Sequence, residues 1–130
     1  MIALSIVAPN GTRIARGEKT LEVRSWQPAE LPLRDLLIVE NALFLSEDLP
    51  EDPEGRAVAL VDVVAVHPWR PDEVQAACSR GWQPGYWAWV LENVRAIESP
   101  RLVVARRGVY RVDEVTPSPG DAGRTPECTC

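Results

Sequence analysis

The feature that most constrains the fold of this chain is the long apolar run RAVALVDVVAVHPW, residues 56 to 69. Five of its fourteen residues are valine. β-Branched side chains pack well on a pleated sheet and lose rotamer freedom in a helix, so the run favours a strand. Pro68 cannot donate a hydrogen bond to a neighbouring strand and should end it. We therefore predict a long central strand.

Other segments share this apolar, β-branched character. The predicted strands lie at residues 2–8, 20–26, 36–41, 86–97, 101–105 and 108–115. The periodicity of residues 86–97, YWAWVLENVRAI, also suits a helix, and its aromatic and β-branched content favours the strand. Short helices are predicted from Asn10, as the cap, to a stop at Gly17, and over RPDEVQAACSRG, residues 70–81. This order predicts a mainly β (α+β) domain, built as a compact, partly closed β-barrel.

The length and composition fit one globular domain followed by a tail. The 130 residues are 45% hydrophobic, which is enough to build a real core. The acidic stretch at residues 45–55 carries five carboxylates and is predicted to be a solvated connection. From Thr116 the sequence TPSPGDAGRTPECTC has no apolar period. We predict an ordered domain over residues 1–115 and a disordered tail over residues 116–130.

The cysteines and the first residues bear on the compartment. Cys78, Cys128 and Cys130 are an odd number without the spacing of a disulfide framework, which favours a reducing environment. The first apolar run, MIALSIVAPNG, is too short to span a membrane and lacks a basic start. We expect a soluble, cytoplasmic protein without a membrane partner.

Several kinds of catalytic or cofactor site find no support in the sequence. His67 is the only histidine, and Cys78 follows it by eleven residues, so no pair has the spacing of a structural zinc site. The sequence contains neither a G-x-S-x-G elbow nor a phosphate-binding glycine loop. We predict no metal and no cofactor, and expect His67 to make a ring hydrogen bond near Trp69 at the end of its strand.

The segment GEKTLEVRSW, residues 17 to 26, carries the densest set of candidate site residues. Lys19 is the only lysine beside thirteen arginines, and a lysine is a compact point charge whose pKa responds to burial. The strand alternation places Glu22, Arg24 and Trp26 on the face opposite Leu21. A carboxylate, a guanidinium and an indole then project from one side of a strand. A bend at glycine would be needed to bring Lys19 to that side.

Two further features suggest ligand contacts. Four arginines fall within eleven residues that hold no carboxylate: Arg101, Arg106, Arg107 and Arg111. A solvated strand face and a phosphate contact explain this basic flank equally well, and Arg107 is the candidate ligand contact in it. The net charge of −5 argues against coating of long nucleic acids but leaves a pocket for one nucleotide open. Most tryptophans, Trp89 among them, are expected in the core.

The segment LSIVAPNGTRIARGEKTLEVRSW resembles the opening of the ASCH (activating-signal-cointegrator homology) domain family. In that family a first strand and a short helix precede the pattern G-x-K-x-x-E-x-R. Gly17, Lys19, Glu22 and Arg24 match it at every fixed position. YWAWVLENVR is similar to the family's aromatic strand, with Trp89 at its recurrent tryptophan, and RRGVYRV is similar to its closing strand.

The resemblance covers residues 3 to 115 and implies a PUA-like β-barrel, a fold associated with RNA binding, with the motif residues lining a cleft. Some family members resemble small amidohydrolases acting on N4-acetylcytidine, and others resemble ribonucleases. The amidohydrolase type has a threonine at the position of Glu22.

Three functions remain open from the sequence. The leading hypothesis is a nucleotide- or RNA-binding module: Lys19 and Arg24 contact phosphate or a carbonyl, Glu22 accepts hydrogen bonds from a base edge or orients Arg24, and Trp26 stacks a base. The alternative is a hydrolase on RNA or a modified nucleoside, with Lys19 as base or nucleophile activator and Glu22 as proton carrier. The third is a protein-interaction module in which these charges form a structural ion-paired seam.

Overall fold

The computed structural model describes residues 1–113, and the predicted tail at residues 116–130 lies outside them. The strands are β1 (Ile2–Val7), β2 (Leu21–Arg24), β3 (Leu33–Asn41), β4 (Glu51–Asp52), β5 (Arg56–Pro68), β6 (Trp87–Leu102), β7 (Ala105–Arg106) and β8 (Val109–Arg111). Within this described part, one α-helix, α1 (Asn10–Ala15), follows β1, and a single 3-10 turn spans Pro71–Glu73. The prediction of a mainly β domain with short helical segments is confirmed.

Six strands form one sheet in the order β2-β6-β5-β3-β1-β8, and β4 pairs with β7 in a separate ribbon. β1 runs parallel to β3, and the other pairs are antiparallel. β5 lies between β6 and β3, as predicted for the central strand. Register shifts interrupt the β5–β6 ladder at three places. Such bulges bend and twist strands, so the sheet curls into a half-barrel whose two edges are β2 and β8.

The main core fills the concave side of this sheet. Trp89 on β6 is fully buried within it, as predicted, with α1 closing one end through Ile14. Side chains of β2 alternate between the two faces of the sheet, as predicted, so Leu21 and Glu22 have different neighbours. Leu21 packs outside the half-barrel against a smaller apolar cluster that contains Trp69 and Ala77. Glu22 pairs across the sheet with Trp89.

Three local predictions were wrong: the helix over residues 70–81, the separate strand over residues 101–105 and the Asn10 cap of α1. Residues 70–81 form no continuous helix beyond the 3-10 turn at Pro71–Glu73, because the Ala76 carbonyl accepts hydrogen bonds from the N–H groups of Thr20 and Leu21, and Cys78 adopts a positive φ of 53°. Residues 101–105 are not a separate strand, since β6 continues to Leu102.

Asn10 is the first residue of α1 and not its cap. The start of α1 is satisfied from a neighbouring strand instead. Glu40 on β3 accepts hydrogen bonds from the Thr12 N–H at 2.6 Å and from the Thr12 hydroxyl at 3.0 Å. A carboxylate placed there also suits the positive end of the helix dipole.

No helix within residues 1–113 is long and apolar enough to cross a membrane.

Candidate functional site

A cleft of about 1010 Å³ opens where the two edges of the curled sheet approach each other. Its walls come from β1, β2, the turns at residues 77–86, the loop after β3 and the turn between β7 and β8. All five residues proposed from the sequence line it: Lys19, Glu22, Arg24, Trp26 and Arg107. The fold therefore brings the motif on β2 together with an arginine that lies more than eighty residues later in the chain.

Lys19 is buried in the wall of the cleft and only 4% exposed. Gly17, with a φ of +79°, turns the chain after α1, and Lys19 precedes the first residue of β2. This is the bend that the sequence required, because Lys19 stands outside the alternation of the strand. Its Nζ donates to the carbonyl of Ala77 and lies 3.3 Å from Glu22 Oε1. Lys19 thus holds the 77–79 turn against β2.

Glu22 is bound by a cation at each carboxylate oxygen. Lys19 approaches Oε1, and Arg24 Nε donates to Oε2 at 2.7 Å. Glu22 is 6% exposed, so the arrangement pairs a buried carboxylate with two cations and leaves one net positive charge. The Arg24 side chain remains 22% exposed and is the charge of this trio that reaches the cleft surface. Glu22 is placed to orient Arg24.

Ser5 on β1 connects the two cationic sides of the cleft. Its carbonyl accepts a hydrogen bond from Arg24 Nη2 at 2.7 Å. Its hydroxyl accepts the Arg106 backbone N–H at 3.1 Å and pairs with the Tyr110 hydroxyl at 2.7 Å. Burial raises the pKa of Tyr110, so its hydroxyl stays protonated at neutral pH. Sequence reasoning missed Ser5, because an isolated serine in an apolar strand gives no local signal of these contacts.

The basic flank separates into different roles. Arg106 and Arg107 line the cleft, whereas Arg101 and Arg111 do not. Arg106 pairs with Glu51 at 3.0 Å, across the β4–β7 ribbon. The exposed Arg107 guanidinium has no hydrogen-bond or ion-pair partner among residues 1–113, and Gly108, with a φ of +70°, forms the turn that presents it. Arg107 is therefore a cation available to a ligand.

Trp26 sits at the edge between the core and the cleft. Its ring meets Trp89 edge to face, with centroids 5.0 Å apart at 89°. Its carbonyl accepts a hydrogen bond from Trp89 Nε1 at 3.2 Å. Trp89 is wholly internal, whereas Trp26 is half-buried and lines the cleft. A ring held this way presents a fixed surface.

Three further exposed rings line the cleft and were not proposed from the sequence. Phe44, on the loop after β3, is 76% exposed, and Trp82 and Tyr86 are each 37% exposed. Trp69 supports the latter two at centroid distances of 6.4 and 6.5 Å. Trp82 is fixed further because its Nε1 donates to the Trp69 carbonyl at 2.9 Å. The sequence did hold one indication of Phe44: the chain's only phenylalanine lies in a Leu-Phe-Leu triplet just after a predicted strand.

His67 makes the ring hydrogen bond expected near the end of β5, with Nε2 2.8 Å from a Glu73 carboxylate oxygen. Burial of Glu73 opposes its ionisation, but His67 and the Arg70 backbone outweigh that effect and leave its pKa below the ordinary value. Within residues 1–113 no group of three or more His, Cys, Asp or Glu side chains is placed to hold a metal ion.

Comparison with known proteins identifies the family. Residues 4–101 match the profile of the ASCH domain. The crystal structure of ASCH from Zymomonas mobilis has a TM-score of 0.50 at 17% identity, covering 74% of this chain and 69% of that chain. A point mutant of the same Zymomonas mobilis protein gives 0.49 at 16% identity, covering 78% and 72%. No curated protein matches the chain.

The family profile spans three quarters of the chain, including the whole G-x-K-x-x-E-x-R segment. The curled, mainly β sheet agrees with the PUA-like fold that the resemblance implied. The sequence-based identification is thereby confirmed, and the chain belongs to the ASCH domain family.

Proposed function

We propose that the cleft binds RNA or a nucleotide, with Arg107 and Arg24 contacting phosphate and exposed rings stacking against bases. One observation carries this proposal: a single cleft combines a cation that has no partner among residues 1–113, a second cation held in place, and four accessible aromatic rings. The ASCH family is associated with nucleic acids in general. A structural ion-paired seam alone does not explain the exposed rings, or an Arg107 guanidinium that has no partner within the described residues.

The phosphate contact is assigned first to Arg107. A guanidinium presents a planar fork that matches phosphate oxygens, and Arg107 does not have to break an ion pair to reach them. Arg24 is already fixed by Glu22 and Ser5, so it contributes a preorganised charge with little loss of side-chain entropy on binding.

The base contact is assigned to the aromatic surfaces. Proteins that bind unpaired bases stack them on aromatic rings, a contact worth about 1 to 3 kcal/mol per base. The Trp82 ring is held by its hydrogen bond to the Trp69 carbonyl, and the backbone of Trp26 is held by the hydrogen bond that its carbonyl accepts from the Trp89 ring. Phe44 faces the same cleft from a different loop.

The test is a binding measurement with a matched control. Arg107→Met should weaken binding of a short single-stranded RNA and reduce the dependence of log K on log salt by about 0.7 for one lost phosphate contact. Arg111→Met removes an equally charged, exposed side chain that does not line the cleft, and should bind like the parent protein. Equal losses in both variants would show a general charge effect and contradict a site in the cleft.

A hydrolase acting on the same ligand is the second candidate function. It is favoured by the close approach of Lys19 Nζ to Glu22 Oε1 in the cleft wall, which places an amine and a carboxylate together. Nζ already donates a hydrogen bond to the Ala77 carbonyl, however, and is ion-paired with Glu22. This geometry supports a positioning role better than proton abstraction.

Mass analysis of products after incubation with RNA and with modified nucleosides separates the two functions. If the cleft only binds, ligands are recovered unchanged. Turnover by the parent protein that is lost in Lys19→Arg, while binding is retained, would instead establish the enzyme, because arginine keeps the charge and does not act as a base at neutral pH.

A further inference from the structure

A second cavity of about 520 Å³ adjoins the cleft. Its walls come from the loop between β2 and β3 and from the beginning of β8. The residues that line it are Ile2, Trp26, Gln27, Pro28, Ala29, Glu30, Leu33, Gly108 and Val109. Two of these, Trp26 and Gly108, also line the cleft, so the two cavities meet at these residues.

The chemistry of the second cavity differs from that of the cleft. Among residues 1–113, its lining includes no cation, and its one charged side chain is Glu30. A phosphate would be repelled there, whereas a flat, largely apolar group with hydrogen-bonding edges would fit beside the Trp26 ring. Arg107, which immediately precedes Gly108, stands where the two cavities meet.

We propose that the second cavity receives the base next to the one held in the cleft, so that the ligand is single-stranded RNA of at least two nucleotides. The inference rests on the function proposed above. Trp26 separates the two bases, and Arg107 contacts the phosphate that links them. A duplex does not satisfy this arrangement, because its neighbouring bases stay stacked on each other and are not available to two separate cavities.

The order of chemical groups supports this occupant. The aromatic rings of the cleft, the Arg107 guanidinium and the apolar second cavity follow one another along this surface. A dinucleotide presents matching groups in the same order: a base, a phosphate and a second base. Arg107 lines the cleft but not the second cavity, and it is adjacent in sequence to Gly108, which lines both. The second cavity is also continuous with the cleft, as a ligand that passes over Trp26 requires.

The test compares ribonucleoside 5′-monophosphates with diribonucleotides of the same bases by calorimetry. The dinucleotide should bind the parent protein about tenfold more tightly, the gain expected of one additional stacked base. Ala29→Trp should remove that gain, because the new ring fills the second cavity from an exposed position, while monophosphate affinity changes by less than about twofold. Ser99→Trp, exposed on β6 and outside both cavities, is the control and should keep the gain.

The outcomes separate this inference from the function on which it rests. Monophosphate binding without a gain for the dinucleotide would overturn the second subsite and leave the nucleotide cleft intact. An unchanged gain in Ala29→Trp would overturn it as well. No binding of either ligand would overturn both proposals. Concentration-dependent dimers that Ala29→Trp abolishes would assign the cavity to a second copy of the chain.

Discussion

Arg24 Nη2 on β2 lies 2.7 Å from the carbonyl oxygen of Ser5 on β1, and this hydrogen bond joins strands at opposite sides of the open half-barrel. β1 is separated from β2 by three strands in the sheet, so this side-chain bond links two strands that are not paired through their backbones. The hydroxyl of the same serine accepts a hydrogen bond from the Arg106 N–H, so Ser5 contacts both Arg24 and the turn that carries Arg107.

Substitution of Ser5 should therefore affect ligand binding as well as stability. Ser5→Ala removes the acceptor of the Arg106 N–H and the partner of the Tyr110 hydroxyl. Leaving these partly buried groups unpaired should cost about 1 kcal/mol in the free energy of unfolding, the lower end of the range for buried groups. We also expect weaker RNA binding, since the turn that presents Arg107 is less fixed. Denaturant unfolding and binding isotherms measure both effects.

The Thr variant is the control for this prediction. Ser5→Thr retains the hydroxyl and should recover much of the binding, although its extra methyl group must fit a site that is only 8% exposed. Binding that is normal in the folded Ser5→Ala protein would contradict the link between Ser5 and the turn.

The two tryptophans of the edge-to-face pair should respond differently to truncation. Trp89→Ala deletes a fully buried ring and is expected to cost about 3 to 5 kcal/mol in the free energy of unfolding. Trp26→Ala removes a half-buried ring, so its stability cost should be smaller and its loss of RNA binding larger. Urea unfolding of both variants, with binding measured on the folded Trp26→Ala protein, tests this. A Trp26→Ala protein that is the less stable of the two would invert the assignment.

Asp62 should make stability depend on acid pH. Its carboxylate accepts the Asp35 backbone N–H at 3.0 Å and a bond from Asn93 at 3.1 Å, and it pairs with Arg34 and Arg95. These contacts, led by the Asp35 N–H, lower its pKa from the ordinary 3.8 to about 2. The unfolded chain binds the proton more tightly, so this contribution is complete above about pH 4 and is lost as the pH falls towards 2.

Unfolding free energies measured between neutral pH and pH 2 test this dependence. Asp62→Asn should be less stable than the parent at neutral pH and should show a flatter loss of stability on acidification. An equally steep acid loss in both proteins would assign that loss to other carboxylates, of which Asp52 is one whose pKa is also lowered by backbone N–H donors.

Local pattern predicted those parts of the protein that depend on neighbours in the sequence. The alternation of residues 20–26 placed Glu22 and Arg24 on one face, and the valine-rich run gave the central strand. The side chain of Ser5 contacts residues more than a hundred positions later in the chain, so no local pattern encodes these contacts. The predicted helix after Arg70 also meets a distant segment, since the Ala76 carbonyl accepts hydrogen bonds from the N–H groups of Thr20 and Leu21.

Lys19 provides the sharpest test of how the charged trio divides between stability and binding. Lys19→Met leaves the Ala77 carbonyl without its donor and removes one of the two cations of the buried Glu22. Breaking a buried pair by removal of one partner costs about 3 to 5 kcal/mol, so this variant should be clearly destabilised. Arg107→Met, whose side chain has no partner within the described residues, should keep the parent melting temperature. Thermal unfolding of the two variants side by side makes the comparison.

The double variant Lys19→Met/Glu22→Met then separates a lost ion pair from lost packing. Replacing both charges by apolar groups removes the stranded carboxylate, and such replacements of buried pairs are often neutral. We expect the double variant to recover part of the stability that Lys19→Met loses, with a remaining deficit because Arg24 Nε and the Ala77 carbonyl each lose a partner. Its RNA binding should stay weak, since Arg24 is no longer oriented by Glu22. A double variant that is less stable than Lys19→Met would contradict the cost assigned to the stranded Glu22 carboxylate. A double variant that binds RNA like the parent would show that Glu22 does not hold Arg24 for the ligand.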